Sequence, residues 1–198
     1  MHARYVVKDR FYKKAKKEGY RARSAYKLEE IQARFRIIKT GDRVLDLGAA
    51  PGSWLQVESA LTGETGLVVG IDVLPIAPLS SPNVVLKKTD IREVDISAFL
   101  HELGIPHFDV VTCDIAPNLS GIRDADNLRI GELYESVRGV VKAGLKPGGS
   151  FIFKSFFLED FKATVEELRT LFSKVAIYKP AASRGVSSEV YLICTGKK

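Results

Sequence analysis

RVLDLGAAPGSW, residues 43–54, is the stretch on which the fold turns. Val44, Leu45 and Leu47 form a short apolar run that breaks at Gly48. After a loop closed by Gly52, SWLQVESAL (53–61) resumes with apolar positions at helical spacing. A strand that ends in glycine and gives way to a helix opens an α/β unit.

The same alternation continues on both sides. SAYKLEEIQARFRII (24–38) has helical periodicity, with Ser24 as its cap and Lys39-Thr40-Gly41 as its end. GLVVGIDV (66–73), NVVLKKTD (83–90) and FDVVTCDIAP (108–117) read as strands, the last running into a loop. A long helix is expected from Asn127 to Ala143, and KPGG (146–149) makes the turn into a strand around Lys154. A helix over Glu159–Leu171 and two closing strands, KVAIYKP (174–180) and SSEVYLICTG (187–196), complete the chain. The closing pair is read as a hairpin, which makes one strand antiparallel. The expected fold class is therefore α/β and Rossmann-like: a seven-stranded, mostly parallel sheet with one antiparallel strand and helices on both faces.

With 198 residues, 45% of them hydrophobic, the chain can bury one core, and neither a repeat nor a low-complexity linker divides it. One domain is expected over 1–198, with a basic arm (1–27) ahead of a cofactor-binding and catalytic core (40–198). No apolar run is long enough for a membrane span, and MHARYVVKDR carries no signal-peptide pattern. Cys113 and Cys194 both sit in apolar runs, the habit of buried thiols in a reducing, cytoplasmic setting. His2, His101 and His107 have no metal-ligand spacing, so no metal site is expected.

The net charge of +6 is unevenly placed. Residues 1–27 hold ten of the 30 Lys and Arg against only Asp9 and Glu18, interleaved with Tyr5, Phe11, Tyr12, Tyr20 and Tyr26. Cations for phosphates and rings for bases make an RNA surface, a solvated basic helix being the plainer alternative.

Ligands of open α/β sheets bind at the carboxyl ends of the strands. A dinucleotide loop reads G-x-G-x-x-G, whereas GAAPG lacks the middle glycine and carries Pro51. That speaks against NAD or FAD and suits a nucleoside cofactor without a pyrophosphate. Asp46, Asp72, Asp90 and Asp114 then stand at or near the ends of four consecutive strands. Asp72 is suited to ribose hydroxyls and Asp90 to an adenine amino group, although a single such acid is as often a turn or cap residue. S-adenosylmethionine is the cofactor that fits the set.

The loop DIAPNLSG (114–121) lacks the Pro-Pro-aromatic run of exocyclic-nitrogen methyltransferases. It also lacks the cysteine that cytosine-C5 enzymes place after the proline, where Asn118 stands here. Oxygen is left as the acceptor to expect. GGSFIFKSFF (148–157) adds a lysine inside an apolar run, which needs either an edge from which Lys154 reaches solvent or a use for its nitrogen.

RARSAYKLEEI, LDLGAAPGSW, DIAPNLSG, FIFKSFF and SRGVSSEVYLICTG occur in this order, and on them the chain resembles the RrmJ/FtsJ family of RNA 2′-O-ribose methyltransferases over nearly its whole length. It departs at Ser53, where many members have a second glycine. The resemblance implies a catalytic tetrad of Lys27, Asp114, Lys154 and Glu189. It also implies that Gly52, Trp54, Asp72, Asp90 and Asp114 line the cofactor, with a core aromatic as the alternative for Trp54. Lys154 is then expected to take the 2′-hydroxyl proton, Asp114 and Glu189 to hold and tune it, and Lys27 to steer the ribose or phosphate. The implied reaction is 2′-O-methylation of a ribose, expected to be a uridine's, in large-subunit ribosomal RNA by a monomer. The rival readings are a tRNA anticodon-loop enzyme, a non-catalytic ribosome-assembly module and a small-molecule O-methyltransferase.

Overall fold

The computed structural model describes residues 10–115, 123–156, 161–183 and 188–198. Tyr5, residues 116–121 of the DIAPNLSG loop, the expected helix start at Glu159 and residues 184–187 of the last motif lie outside them. The elements in chain order are α1 (Arg10–Glu18), α2 (Ala25–Phe35), β1 (Arg43–Leu47), α3 (Ser53–Thr62), β2 (Leu67–Asp72), β3 (Val84–Lys88), α4 (Ile96–Glu102), β4 (Phe108–Cys113), α5 (Arg123–Gly144), β5 (Leu145–Phe156), α6 (Phe161–Leu171), β6 (Phe172–Tyr178) and β7 (Glu189–Lys197). The seven strands form one sheet in the order β3-β2-β1-β4-β5-β7-β6. Strands β1 to β5 pair in parallel. β7 runs antiparallel to both β5 and β6, as the closing hairpin requires.

Why these stretches become strands follows from burial on two faces. FDVVTC (β4) is buried at every position, the near-continuous apolar run of a central parallel strand. One face packs Leu45, Val111, Phe151, Phe153 and Leu192 under α4, α5 and α6. The other packs Val44, Val110, Ile152 and Ile193 against Leu28 and Ile31 of α2 and Leu55 of α3. Sheet order reverses between β1 and β4, which leaves a crevice at their carboxyl ends.

Three local expectations are corrected and one element is added. α2 ends at Phe35, four residues before Lys39, because Ile37 and Ile38 turn into the core and are buried. Arg36 closes the helix with a left-handed φ of 52°, its N–H donating to the Gln32 carbonyl. Ser24 precedes α2 without capping it, since its hydroxyl meets Ser53 Oγ at 2.8 Å. α4 was not apparent in the sequence; it spans seven residues and is capped by Asp95, whose carboxylate accepts from Ser97 and Ala98 N–H at 3.0 Å. Lastly, KPGG lies inside β5 as a bulge, between the pairs Phe108–Leu145 and Val110–Ser150. Pro147 has no N–H to give a ladder, so the strand bulges there instead of starting after it.

The basic arm contains a helix with a small core of its own. Ala15, Tyr26 and Ala182 are buried together, with Phe11 and Tyr20 packed on them. Tyr26 donates to Glu18 at 2.7 Å and Tyr20 to Glu29 at 2.5 Å. Phe11, Tyr20 and Tyr26 therefore dock α1 onto α2, and only Tyr12 of the described arm aromatics is exposed. Lys13, Lys16 and Lys17 point to solvent.

Candidate active site

A cavity of about 670 Å³ opens at the carboxyl ends of β1 to β4. Leu47 and Gly48 form its floor, Asp72, Asp90 and Asp114 its walls, and Glu132 of α5 faces them. Gly48 has φ 78°, and a Cβ there would lie 2.3 Å from Ile115 Cγ1, so only glycine fits this floor. Gly52 has φ 100° at the start of α3, where a Cβ would meet Arg21 Nη1 at 2.7 Å.

Asp72 ties the rim together. Its carboxylate accepts from Ala50 N–H at 2.9 Å and from Leu74 N–H at 2.8 Å, leaving each oxygen a further lone pair for a ligand. Asp90 is engaged with Arg92, which donates from Nη2 at 2.6 Å and from its backbone N–H at 2.9 Å. Those hydrogen bonds hold the Asp90 carboxyl below its usual range. Gly52 and Trp54 are not among the residues lining the cavity. The Trp54 indole is buried, donates to the Ser24 carbonyl at 2.9 Å and packs against Tyr191.

Lys154, Asp114, Lys27 and Glu189 come together beside that cavity as two ion pairs. Lys154 Nζ lies 3.1 Å from Asp114 Oδ1 and donates to the Asp114 carbonyl at 2.5 Å. Lys27 Nζ lies 2.6 Å from Glu189 Oε1. Both lysines are buried, Lys154 at 6% and Lys27 at 7% exposure, so neither is an edge lysine reaching solvent. β7 pairs Tyr191 with Lys154 and Glu189 with Phe156, and alternation sets Lys154, Tyr191 and Glu189 on one face. Burial pushes the Glu189 carboxyl up, but the hydrogen bond and charge of Lys27 prevail and hold it below its ordinary value.

Tyr191 and Arg21 escaped the sequence reading. The Tyr191 hydroxyl donates to Asp114 Oδ1 at 2.6 Å, and Lys27 Nζ stands 5.7 Å from its ring centre, so this side chain links the two ion pairs. Its alternation with Glu189 was visible in EVY, but nothing in the sequence distinguished it from a core aromatic. Arg21, counted as an arm cation, donates instead to the carbonyls of Pro51, Ala77 and Pro78 at 3.0, 2.6 and 2.7 Å. Its own N–H goes to Gln56 Oε1 at 2.9 Å. It thereby fastens the GAAPG loop to the segment after β2.

The arrangement offers an acid-walled cavity beside a buried amine held by a carboxylate, which suits proton removal from a hydroxyl. Cys113 points to the opposite face of the sheet, where burial pushes its thiol up to about 12 and keeps it protonated. A thiolate nucleophile is not available from it. Among the described residues, no group of three or more His, Cys, Asp or Glu is placed to hold a metal, and no helix is long and apolar enough to cross a membrane.

Residues 20–197 match the FtsJ-like methyltransferase family. A ribosomal RNA large subunit methyltransferase E of Syntrophobacter fumaroxidans is 43% identical over 191 residues, 96% of this chain and 95% of the relative. The protein of that name from Methanothrix thermoacetophila is 48% identical over 96% of this chain and 72% of its own length. A crystal structure of a ribosomal RNA methyltransferase from Plasmodium falciparum superposes with a TM-score of 0.78 at 27% identity, covering 90% of this chain and 98% of that one.

Proposed function

The chain belongs to the FtsJ-like methyltransferase family, and from that premise we propose that it uses S-adenosylmethionine to methylate the 2′-oxygen of a ribose, a uridine's, in large-subunit ribosomal RNA. The observation that carries this reading is the pair of buried ion pairs, Lys154–Asp114 and Lys27–Glu189, beside an acid-walled cavity that Asp114 helps to line. The residues present fit that donor. Asp72 keeps lone pairs for ribose hydroxyls, Gly48 leaves the floor open, and three aspartates favour a cationic ligand. S-adenosylmethionine, when bound, supplies a methyl group on a sulfonium whose departure leaves a neutral thioether.

The rest falls to the chain. A neutral Lys154 amine has two N–H groups and one lone pair. The Asp114 carbonyl and Oδ1 hold the Lys154 nitrogen, which serves as the base once it has given up one proton and turns the freed lone pair to the ribose hydroxyl. As the 2′-oxygen forms its bond to the methyl carbon, its proton passes to Lys154 Nζ and later to solvent. Asp114, steadied by the Tyr191 hydroxyl, stabilises the ammonium so formed. Lys27, held by Glu189, orients the ribose or its phosphate. Gly52, Trp54 and Arg21 act on the donor indirectly, by shaping the GAAPG loop. Asp90 turns from Arg92 to the adenine.

The exposed lysines of the arm (1–27) meet RNA phosphates, and the arm works as one unit with the core (40–198) in the cytoplasm. The test is methyl transfer from labelled S-adenosylmethionine to large ribosomal subunits, bulk tRNA and free ribosomal RNA, with mapping of the modified nucleotide. A 2′-O-methylribose in large-subunit RNA is the expected result. Label confined to tRNA, or to a base, would overturn the proposed substrate.

A further inference from the structure

Beneath the cavity floor lie two acids that the proposed chemistry leaves unused. Asp46 of β1 is 1% exposed and Glu58 of α3 is 0% exposed. The Thr112 hydroxyl stands between them, 2.8 Å from Glu58 Oε1 and 3.2 Å from Asp46 Oδ1. A threonine hydroxyl has one proton and can donate to only one of these oxygens. The second contact becomes a hydrogen bond only if the other acid is protonated and donates to Thr112. The outer oxygens, Asp46 Oδ2 and Glu58 Oε2, have no hydrogen-bond partner among the described residues.

Among the described residues, no cation pairs with either acid. Strand register puts Asp46 level with Gly70 of β2 and Thr112 of β4, and Thr112 level with Ile152 of β5. One step toward the cavity on the same face stand Asp72, Asp114 and Lys154. Lys154 is bound to Asp114, and Lys27 of α2 is bound to Glu189. Burial pushes the Glu58 carboxyl up to about 8. It pushes Asp46 well up too, with further upward force from Glu58 and Asp114. Two fully buried carboxylates without a counter-ion are too costly to persist as a double anion, so the pair holds a proton at neutral pH.

We propose that Asp46 and Glu58 form a proton-holding pair that distinguishes the cationic methyl donor from its neutral product. The pair retains its proton when the cavity is empty or holds product, and releases it when a sulfonium occupies the cavity. On release an acid O–H bond breaks, the electron pair stays on the carboxylate and the proton passes to solvent. Asp46 directly precedes Leu47 and Gly48, the residues of the cavity floor, close enough to respond to a charge there. When the methyl leaves, the positive charge leaves with it, the pair takes a proton back and its attraction for the bound product ends. Glu58 is thus a positioning residue for charge, acting through Asp46. This inference rests on S-adenosylmethionine being the donor.

Linkage gives the sign. A ligand that favours the deprotonated pair binds more tightly as pH rises, by at most tenfold per pH unit for one proton, and levels off above the pair's own titration. The experiment is calorimetric titration of the protein with S-adenosylmethionine and, separately, S-adenosylhomocysteine, each in phosphate and in Tris, from pH 6.5 to 8.5. The dependence of the heat on buffer ionisation counts the protons released. The expected result is up to one proton released with the donor and none with the product, with donor affinity rising about threefold to tenfold over this range. Glu58→Gln is expected to bind donor without releasing the proton. The donor–product difference in the unaltered protein carries the test if that variant folds poorly. Equal proton release with both ligands, or release intact in Glu58→Gln, would overturn the inference. Failure of the donor to bind at all would overturn the cofactor assignment and the inference with it.

Discussion

Asp109 and Asp114 stand at opposite ends of the same short strand, and the protein treats them differently. At the foot of β4, Asp109 accepts from Arg43 N–H and Nε at 2.7 and 3.0 Å and from Lys146 Nζ at 2.6 Å. Burial alone would push its carboxyl up, but these hydrogen bonds prevail and hold it down at about 2. At the head, Asp114 has Lys154 and the Tyr191 hydroxyl, and just below it Asp46 and Glu58 have no cation partner among the described residues. Charge at the foot is neutralised by the fold itself. Charge at the head is left in acidic excess, a cost in stability that makes sense only where a cationic ligand arrives. On the proposed function, the foot serves the fold and the head serves the reaction.

Substitutions can break this contrast. The largest effect is expected for Lys154→Ala, which should lower single-turnover methyl transfer by about 10³-fold, within the range of a lost general base. Donor affinity, read by calorimetry, should stay within a few-fold. Asp109→Asn should instead lose about 2–3 kcal/mol in urea unfolding, because it breaks charged hydrogen bonds to two partly exposed cations. Its folded fraction should turn over normally. Arg21→Ala removes three hydrogen bonds to the loops around the cavity and should weaken donor binding about tenfold, without changing the rate at saturating donor.

The pH dependence of stability sharpens the comparison, since the two ends carry opposite signs. Asp109 has a folded value depressed to about 2, against about 3.9 for an unfolded aspartate. Its contribution is present above that unfolded value and is lost as pH falls toward 2. Glu58 has a folded value raised to about 8, against about 4.3 unfolded. It therefore costs stability progressively as pH rises from about 4 to 8. Urea titrations across pH should show Asp109→Asn flattening the rise in stability between about pH 2 and 4, and Glu58→Gln flattening the fall between about pH 4 and 8. The smallest effect belongs to the arm. Lys13→Gln or Lys16→Gln should each lower the salt slope of RNA binding by about 1 and leave donor affinity alone.

What could be read from the sequence divides along similar physical lines. Strands such as FDVVTC and LVVGID were legible because their apolar runs answer to burial on both faces, a local requirement. Asp72, Asp114 and Lys154 were legible as acids and an amine at strand ends or within apolar runs, where they demand a reason. Arg21 was not legible, because its carbonyl partners lie 30 to 57 positions away and carry no side-chain signature. Glu58 looked like one polar position on a helix, and its burial appears only when Thr112, 54 residues on, folds over it. The arm aromatics misled for a related reason. An aromatic ring among lysines has the same composition whether it stacks on a base or, like Tyr26, closes a small core.

One paired measurement bears most directly on the division between the two ends. Asp114→Asn and Asp109→Asn change the same residue type at opposite ends of β4, and each can be assayed for single-turnover methyl transfer to large ribosomal subunits at saturating donor. The account predicts a loss of about 10²-fold or more for Asp114→Asn and a rate within about twofold of normal for folded Asp109→Asn. Near-normal transfer by Asp114→Asn, or an equal loss at both ends, would contradict it.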